Sequence, residues 1–113
     1  MVGELRMKYV DILKALADIN RLAILCYLRN GSKCVCEIEN VLTISQSATS
    51  KQLGRLRLIG LIDAEKKGQW VYYQMAEHIY DEYPFLRQLL DDVDSQYGFS
   101  KRGNTVKCDD RSQ

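Results

Sequence analysis

Between residues 32 and 74 the chain carries two short helical patterns split by a tight turn, then two alternating stretches around a glycine. That succession leaves few folds open. Ser32 can cap a helix whose Val35, Ile38 and Leu42 make one inward stripe, and Thr43-Ile44 reads as the turn. Ser45 caps the next helix, in which Thr49, Leu53 and Leu56 face inward until Gly60 stops it. Residues 61–65 and 70–74 alternate as strands about Lys66-Lys67-Gly68-Gln69, which predicts a β-hairpin with a basic tip. Two helices so joined, the second polar on its outer side, match a helix-turn-helix, and the hairpin behind them is a wing.

The flanks supply the remaining helices. Ile12, Leu13 and Leu16 recur at helical spacing from Tyr9 onward, and Asp18 or Asn20 can cap a helix holding Leu22, Leu25 and Leu28 that ends at Asn30-Gly31. Residues 79–93 pattern as a last helix with Pro84 near its start and Phe85, Leu86, Leu89, Leu90 and Val93 along one side. A chain of 113 residues, 46% hydrophobic, supports one modest core, so that surplus apolar face is expected to pair with the N-terminal helix and with their copies in a second subunit. The expected fold is therefore mainly α with a small β-hairpin: a winged helix-turn-helix of five helices plus a two-stranded wing, homodimeric through its N- and C-terminal helices. One domain over 1–99 and a disordered polar tail over 100–113 are expected. No stretch approaches the roughly 20 apolar residues of a membrane span, so no membrane partner is expected.

Net charge is +1, but its distribution is polarised. Residues 43–75 hold five bases (Lys51, Arg55, Arg57, Lys66, Lys67) against two acids (Asp63, Glu65), whereas residues 76–98 hold one base (Arg87) against six acids (Glu77, Asp81, Glu82, Asp91, Asp92, Asp94). A locally basic element in a near-neutral chain suits contact with a polyanion through one face. Ser45, Gln46, Ser47, Ser50, Lys51 and Gln52 fall in the early turns of the second helix, where side chains reach base edges. Arg55, Arg57, Lys66, Lys67 and Gln69 are cast as phosphate or minor-groove contacts.

Four cysteines complete the pattern. With no signal peptide before them and a Cys34-x-Cys36 pair ill placed to bridge itself, they read as free thiols in a reducing, cytoplasmic setting. Thiolates select soft ions over hard ones. Residues i and i+2 diverge by about 200° on an α-helix, so capture of one ion by both Cys34 and Cys36 is expected to unwind the first turn of their helix. Cys26 sits in an apolar stripe as a small core residue, and Cys108 lies in the tail. His78, the only histidine, is expected to flank the last helix, and Asp91, Asp92 and Asp94 to be solvated.

Leu13-Lys14-Ala15-Leu16-Ala17-Asp18 with Arg21-Leu22, Ser45-Gln46 with Ser50 and Leu53, Gly60-Leu61-Ile62, and Gly68-Gln69-Trp70-Val71-Tyr72-Tyr73 together resemble the ArsR/SmtB family of winged-helix metal-responsive repressors over about residues 8–95. Cys34-Val35-Cys36-Glu37 is similar to the third-helix metal motif of its arsenic-responsive branch. The resemblance implies a homodimer on double-stranded operator DNA, with no permanently bound cofactor, that leaves when arsenite or antimonite binds Cys34 and Cys36. Members of that branch often carry a further cysteine where this chain has Glu39, which leaves Cys108 or Cys26 as the candidate third ligand. The last-helix zinc site of the family needs histidines that residues 79–96 lack, and residues 1–25 lack the cysteines of the cadmium-sensing relatives.

Two rival readings remain. A small thiol-dependent reductase would want a Cys-x-x-Cys, a phosphate-cradling glycine loop or a histidine beside the thiols; none is present, so no enzyme is expected. A thiol redox or persulfide-responsive repressor of the same fold would use Cys26, yet residues 79–96 hold no partner cysteine for it.

Overall fold

The computed structural model describes residues 2–101, with side chains from residue 8 onward; residues 102–113, which include Cys108 and most of the expected tail, lie outside the described residues. In chain order come helices α1 (Val2–Leu16) and α2 (Ile19–Leu28), the two-residue strand β1 (Lys33–Cys34), helices α3 (Val35–Leu42) and α4 (Gln46–Ile59), strands β2 (Ile62–Lys67) and β3 (Trp70–Met75), and helices α5 (Ile79–Glu82) and α6 (Phe85–Tyr97). A 3-10 turn, Phe99–Lys101, follows.

Helix α2 is the hub. Asp18 is its cap: Oδ1 accepts from the amides of Asn20 and Arg21 at 2.9 and 3.1 Å. Residues 23–28 are all buried, because α2 is apolar on every side over that stretch and α1, α3, α4, α6 and β3 all pack on it. Ile12 and Leu16 of α1, Ile38, Val41 and Leu42 of α3, and Leu53 and Leu56 of α4 close the core around it. Leu13, which recurs at helical spacing with Ile12 and Leu16, is exposed.

The helix-turn-helix forms where its pattern lies. Ser45 Oγ accepts from the Ala48 amide at 3.0 Å and opens α4, while the buried Thr49 donates its hydroxyl to the Ser45 carbonyl at 2.9 Å. Gly60, at φ 93°, supplies the left-handed residue that ends α4. The turn between α3 and α4 has a less comfortable start, since Thr43, a β-branched residue, sits in the left-handed region at φ 56°.

Three features depart from expectation. The wing belongs to a three-stranded antiparallel sheet, order β1-β3-β2, rather than to a two-stranded hairpin. Its tip is shorter than expected: Lys67 pairs with Trp70, so Lys66 and Lys67 end β2 and only Gly68-Gln69 turn. Gly68 at φ 63°, followed by a residue with ordinary φ, is the signature of a II′ turn. The last helix is broken into α5 and α6 at Tyr83-Pro84, where proline lacks an amide donor and pushes the residue before it out of helical geometry. The described residues thus hold six α-helices where five were expected.

The 3-10 turn draws Ser100 and Lys101 into the domain. Phe99 is buried, the Ser100 amide and hydroxyl bond Asp94, and Asn30 donates to the Ser100 carbonyl at 3.1 Å. On α1 and the start of α6 an apolar patch stays open to solvent: Tyr9, Val10, Leu13 and Phe85 are exposed, with Tyr9 and Phe85 each edge-on to the Tyr83 ring.

Candidate functional site

Strand β1 places the thiol pair. Lys33 and Cys34 pair with Tyr73 and Tyr72 of β3, which holds Cys34 extended at φ −82° and ψ 163°. An extended residue is what a helix N-cap needs, so Cys34, not Ser32, opens α3. Glu37, three residues on, completes the start: its Oε1 accepts from the Cys34 amide at 3.0 Å. Cys34 therefore precedes the helical spiral and Cys36 is its second residue, and the two do not diverge as a pair within a helix would. Their sulfurs lie 3.0 Å apart, within reach of a single ion. The two sulfurs thus converge with the first turn of α3 formed, whereas two positions within one helix would have diverged.

Cys34 is fully buried and Cys36 half-buried, so the pair is approached from the Cys36 side. The positive end of the α3 dipole lies at the sulfurs and favours negative charge there. Among the described residues no group of three or more His, Cys, Asp or Glu is placed to hold a metal ion, so the pair supplies two donors and no more from this part of the chain. Glu39 lies half-buried further along α3.

Cys26 stands in contrast. It is fully buried on α2 and its sulfur contacts the Leu90 carbonyl of α6 at 3.7 Å. Burial pushes its thiol up to about 11, so it stays protonated at neutral pH and is a poor ligand. His78 is exposed at the start of α5 beside Glu77 and Asp81. Asp91 pairs with Arg29, Asp92 accepts from Gln88, and Asp94 is held by Ser100, so none of the three acids points to a shared cation. Burial alone would raise the Asp94 carboxyl; the Ser100 hydrogen bonds outweigh it and hold the group below its usual value.

On the outer side of α4, Gln46, Ser47, Ser50, Lys51 and Arg55 are all exposed, as are Arg57 nearer its end and Lys66, Lys67 and Gln69 on the wing. Ser45 is exposed too, though its hydroxyl oxygen is engaged as the α4 cap. Lys67 Nζ lies over the Tyr72 ring at 5.5 Å, which steadies the end of β2. Gln52 does not belong with this outer set: its amide faces inward, accepting from Arg21 Nη1 at 3.0 Å and donating to Asp18 Oδ1 at 3.3 Å. Arg21 in turn donates to the Ala15 and Lys14 carbonyls at the end of α1, at 2.7 and 3.4 Å. Gln52 is thus a positioning residue that seats α4 against α1 and α2. Two contributors escaped the sequence reading. The Cys34–Glu37 spacing is that of a capping box, a readable signal. Tyr72 and Tyr73, as partners of β1, left none.

Residues 18–64 match the family described as "Bacterial regulatory protein, arsR family". The chain is similar to "Arsenic resistance transcriptional regulator ArsR1" of Pseudomonas putida, 42% identical over 69 residues that make up 60% of this chain and 54% of that protein. It is also similar to the "Arsenical resistance operon repressor" of Bacillus subtilis, 41% identical over 66% of this chain and 72% of the relative. The match to the first of these spans little more than half its length. Among solved structures, HlyU from Vibrio cholerae is 36% identical with a TM-score of 0.64, over 74% of this chain and 92% of that one. The homodimeric winged helix-turn-helix DNA-binding domain of a possible ArsR-family regulator from Mycobacterium bovis is 27% identical with a TM-score of 0.69, over 80% and 84%. These relatives and this fold are those of transcription regulators, not of enzymes. A winged helix-turn-helix with this sequence likeness places the chain in the ArsR family of bacterial regulatory proteins.

Proposed function

We propose that the chain is a homodimeric transcriptional repressor that binds operator DNA and releases it when Cys34 and Cys36 capture trivalent arsenic or antimony. The observation that carries this reading is the convergence of two sulfurs to 3.0 Å at the start of α3, next to a helix-turn-helix. Soft thiolates at that spacing suit a thiophilic ion and would reject hard cations. Relatives named for arsenical resistance support the choice of inducer. Of the two candidates for a third donor, Cys26 is disfavoured by its burial and its contact with Leu90, which leaves Cys108, outside the described residues. The anchoring of Ser100 supports a reach from the same subunit: it is bonded to Asn30, four residues before Cys34, and a stretch of eight residues spans at most about 26 Å.

Gln46, Ser47, Ser50 and Lys51 would read base edges in the major groove, with Arg55, Arg57, Lys66, Lys67 and Gln69 on phosphates. The exposed Tyr9, Val10, Leu13 and Phe85 suit a second copy of the chain, joined along α1 and α6, and the Mycobacterium bovis homodimer supports that mode of assembly. No helix among the described residues is long and apolar enough to cross a membrane, and a cytoplasmic setting fits a DNA-binding role.

Fluorescence anisotropy on a duplex selected from a random pool tests the reading. Arsenite is expected to weaken binding by a factor on the order of 100, equivalent to about 3 kcal/mol of coupling. Release that persists in Cys34→Ser/Cys36→Ser would refute it. A second reading, a thiol-redox repressor, draws on the same 3.0 Å approach. There a peroxide would take two electrons and two protons from the pair, giving a Cys34–Cys36 disulfide and reduced peroxide. DNA release by peroxide with loss of two hydrogens from the peptide spanning both cysteines, and none by arsenite, would favour it.

A further inference from the structure

Cys34 is where three structural commitments meet: it is one of the two converging thiols, the N-cap of α3, and half of β1. A change at its sulfur therefore has two exits, along α3 toward α4 or across the sheet toward the wing. The α3 exit is stiff. Ile38, Val41 and Leu42 are locked in the core, and the Glu37 carboxylate holds the helix start to the Cys34 amide. The sheet exit is soft, because β1 is an edge strand of only two residue pairs, Lys33 with Tyr73 and Cys34 with Tyr72. Those same tyrosines form the other side of the wing: Tyr72 pairs with Glu65 and Tyr73 with Ala64, the two residues directly before Lys66 and Lys67 on β2. One backbone segment of β3 thus bonds the thiol strand on one edge and the basic strand on the other.

We propose that occupancy of the Cys34–Cys36 site is transmitted to DNA through the β1–β3 ladder and the wing, with α3 and α4 left folded. The inference rests on the metalloid reading above. Capture at the two sulfurs shifts Cys34, and β1, held to β3 by only two residue pairs, is the part that yields; the wing, no longer braced on that edge, loses its orientation and with it the phosphate contacts of Lys66 and Lys67. The recognition helix keeps its shape and its seat on Arg21 and Asp18.

Hydrogen–deuterium exchange on the full chain with and without arsenite tests the route, with thiolate–arsenic absorbance in the near ultraviolet recording binding separately. Peptides covering residues 33–36 and 70–75 are expected to exchange at least several-fold faster when arsenite is bound, and those covering 46–59 to stay unchanged. Binding accompanied by faster exchange in 46–59, with 70–75 unchanged, would overturn the wing route and leave the metalloid reading intact. Absence of the absorbance would overturn both. A cycle with Lys66→Ala/Lys67→Ala, at salt low enough to keep binding measurable, gives an independent check. The arsenite effect is expected to shrink at least tenfold in that variant, and an undiminished effect would overturn the proposal.

Discussion

Cys26 and the Cys34–Cys36 pair have the same chemistry and opposite circumstances. Cys26 lies in the α2–α6 seam, buried, in contact with a carbonyl and raised to about 11. The pair lies where a strand turns into a helix, with one sulfur half-exposed and backbone geometry that brings the two together. A thiol placed within a helix packs, whereas a thiol placed at a helix start on an extended residue can meet its neighbour. Position within the secondary structure, more than burial alone, separates a core cysteine from a converging pair.

The most severe test of that contrast removes the pair. Cys34→Ser/Cys36→Ser should keep DNA affinity within about threefold and lose nearly all of the roughly 100-fold arsenite response, read by anisotropy. Next in size is an alkaline loss of stability tied to Cys26. Its folded pKa of about 11 exceeds the ordinary 9.0, so its contribution is complete below pH 9 and disappears as pH rises through 11. Urea unfolding should show up to about 2–3 kcal/mol lost across that window, and Cys26→Ala should flatten the slope relative to the wild-type chain. At pH 7 the same Cys26→Ala change should cost about 1–2 kcal/mol through the void it leaves, with the arsenite response unaltered; a lost response would place Cys26 among the ligands. The smallest effect is expected from Glu37→Ala, about 0.5–1 kcal/mol from the lost bond to the Cys34 amide. It would sharpen the contrast if arsenite affinity moved as well, since the cap holds the backbone of Cys34.

The elements with strong local signals were legible. Ser45 and Gly60 bound α4 as their chemistry dictates, Thr49, Leu53 and Leu56 face inward, and the hairpin forms around Gly68. What the sequence concealed depends on distant partners. A two-residue strand has no alternation to read, so β1 emerges only once Tyr72 and Tyr73 are beside it, and with it the shift of the α3 cap from Ser32 to Cys34. Gln52 looked like a base reader because its bonds go to Arg21 and Asp18, 31 and 34 positions away. The break at Tyr83-Pro84 was readable from the proline, but the apolar periodicity on both sides of it suggested one continuous helix.

The fork of Arg21 finishes one helix while gripping another. With Nε and Nη2 on the last carbonyls of α1 and Nη1 on Gln52, a single guanidinium sets the angle between the helix suited to assembly and the helix suited to reading. In a symmetric pair joined along α1, the distance between the two readers is then a property of the protein before any duplex arrives. Half-sites must come to that gauge, and a lysine at this position, lacking the three-way planar grip, would leave the gauge loose.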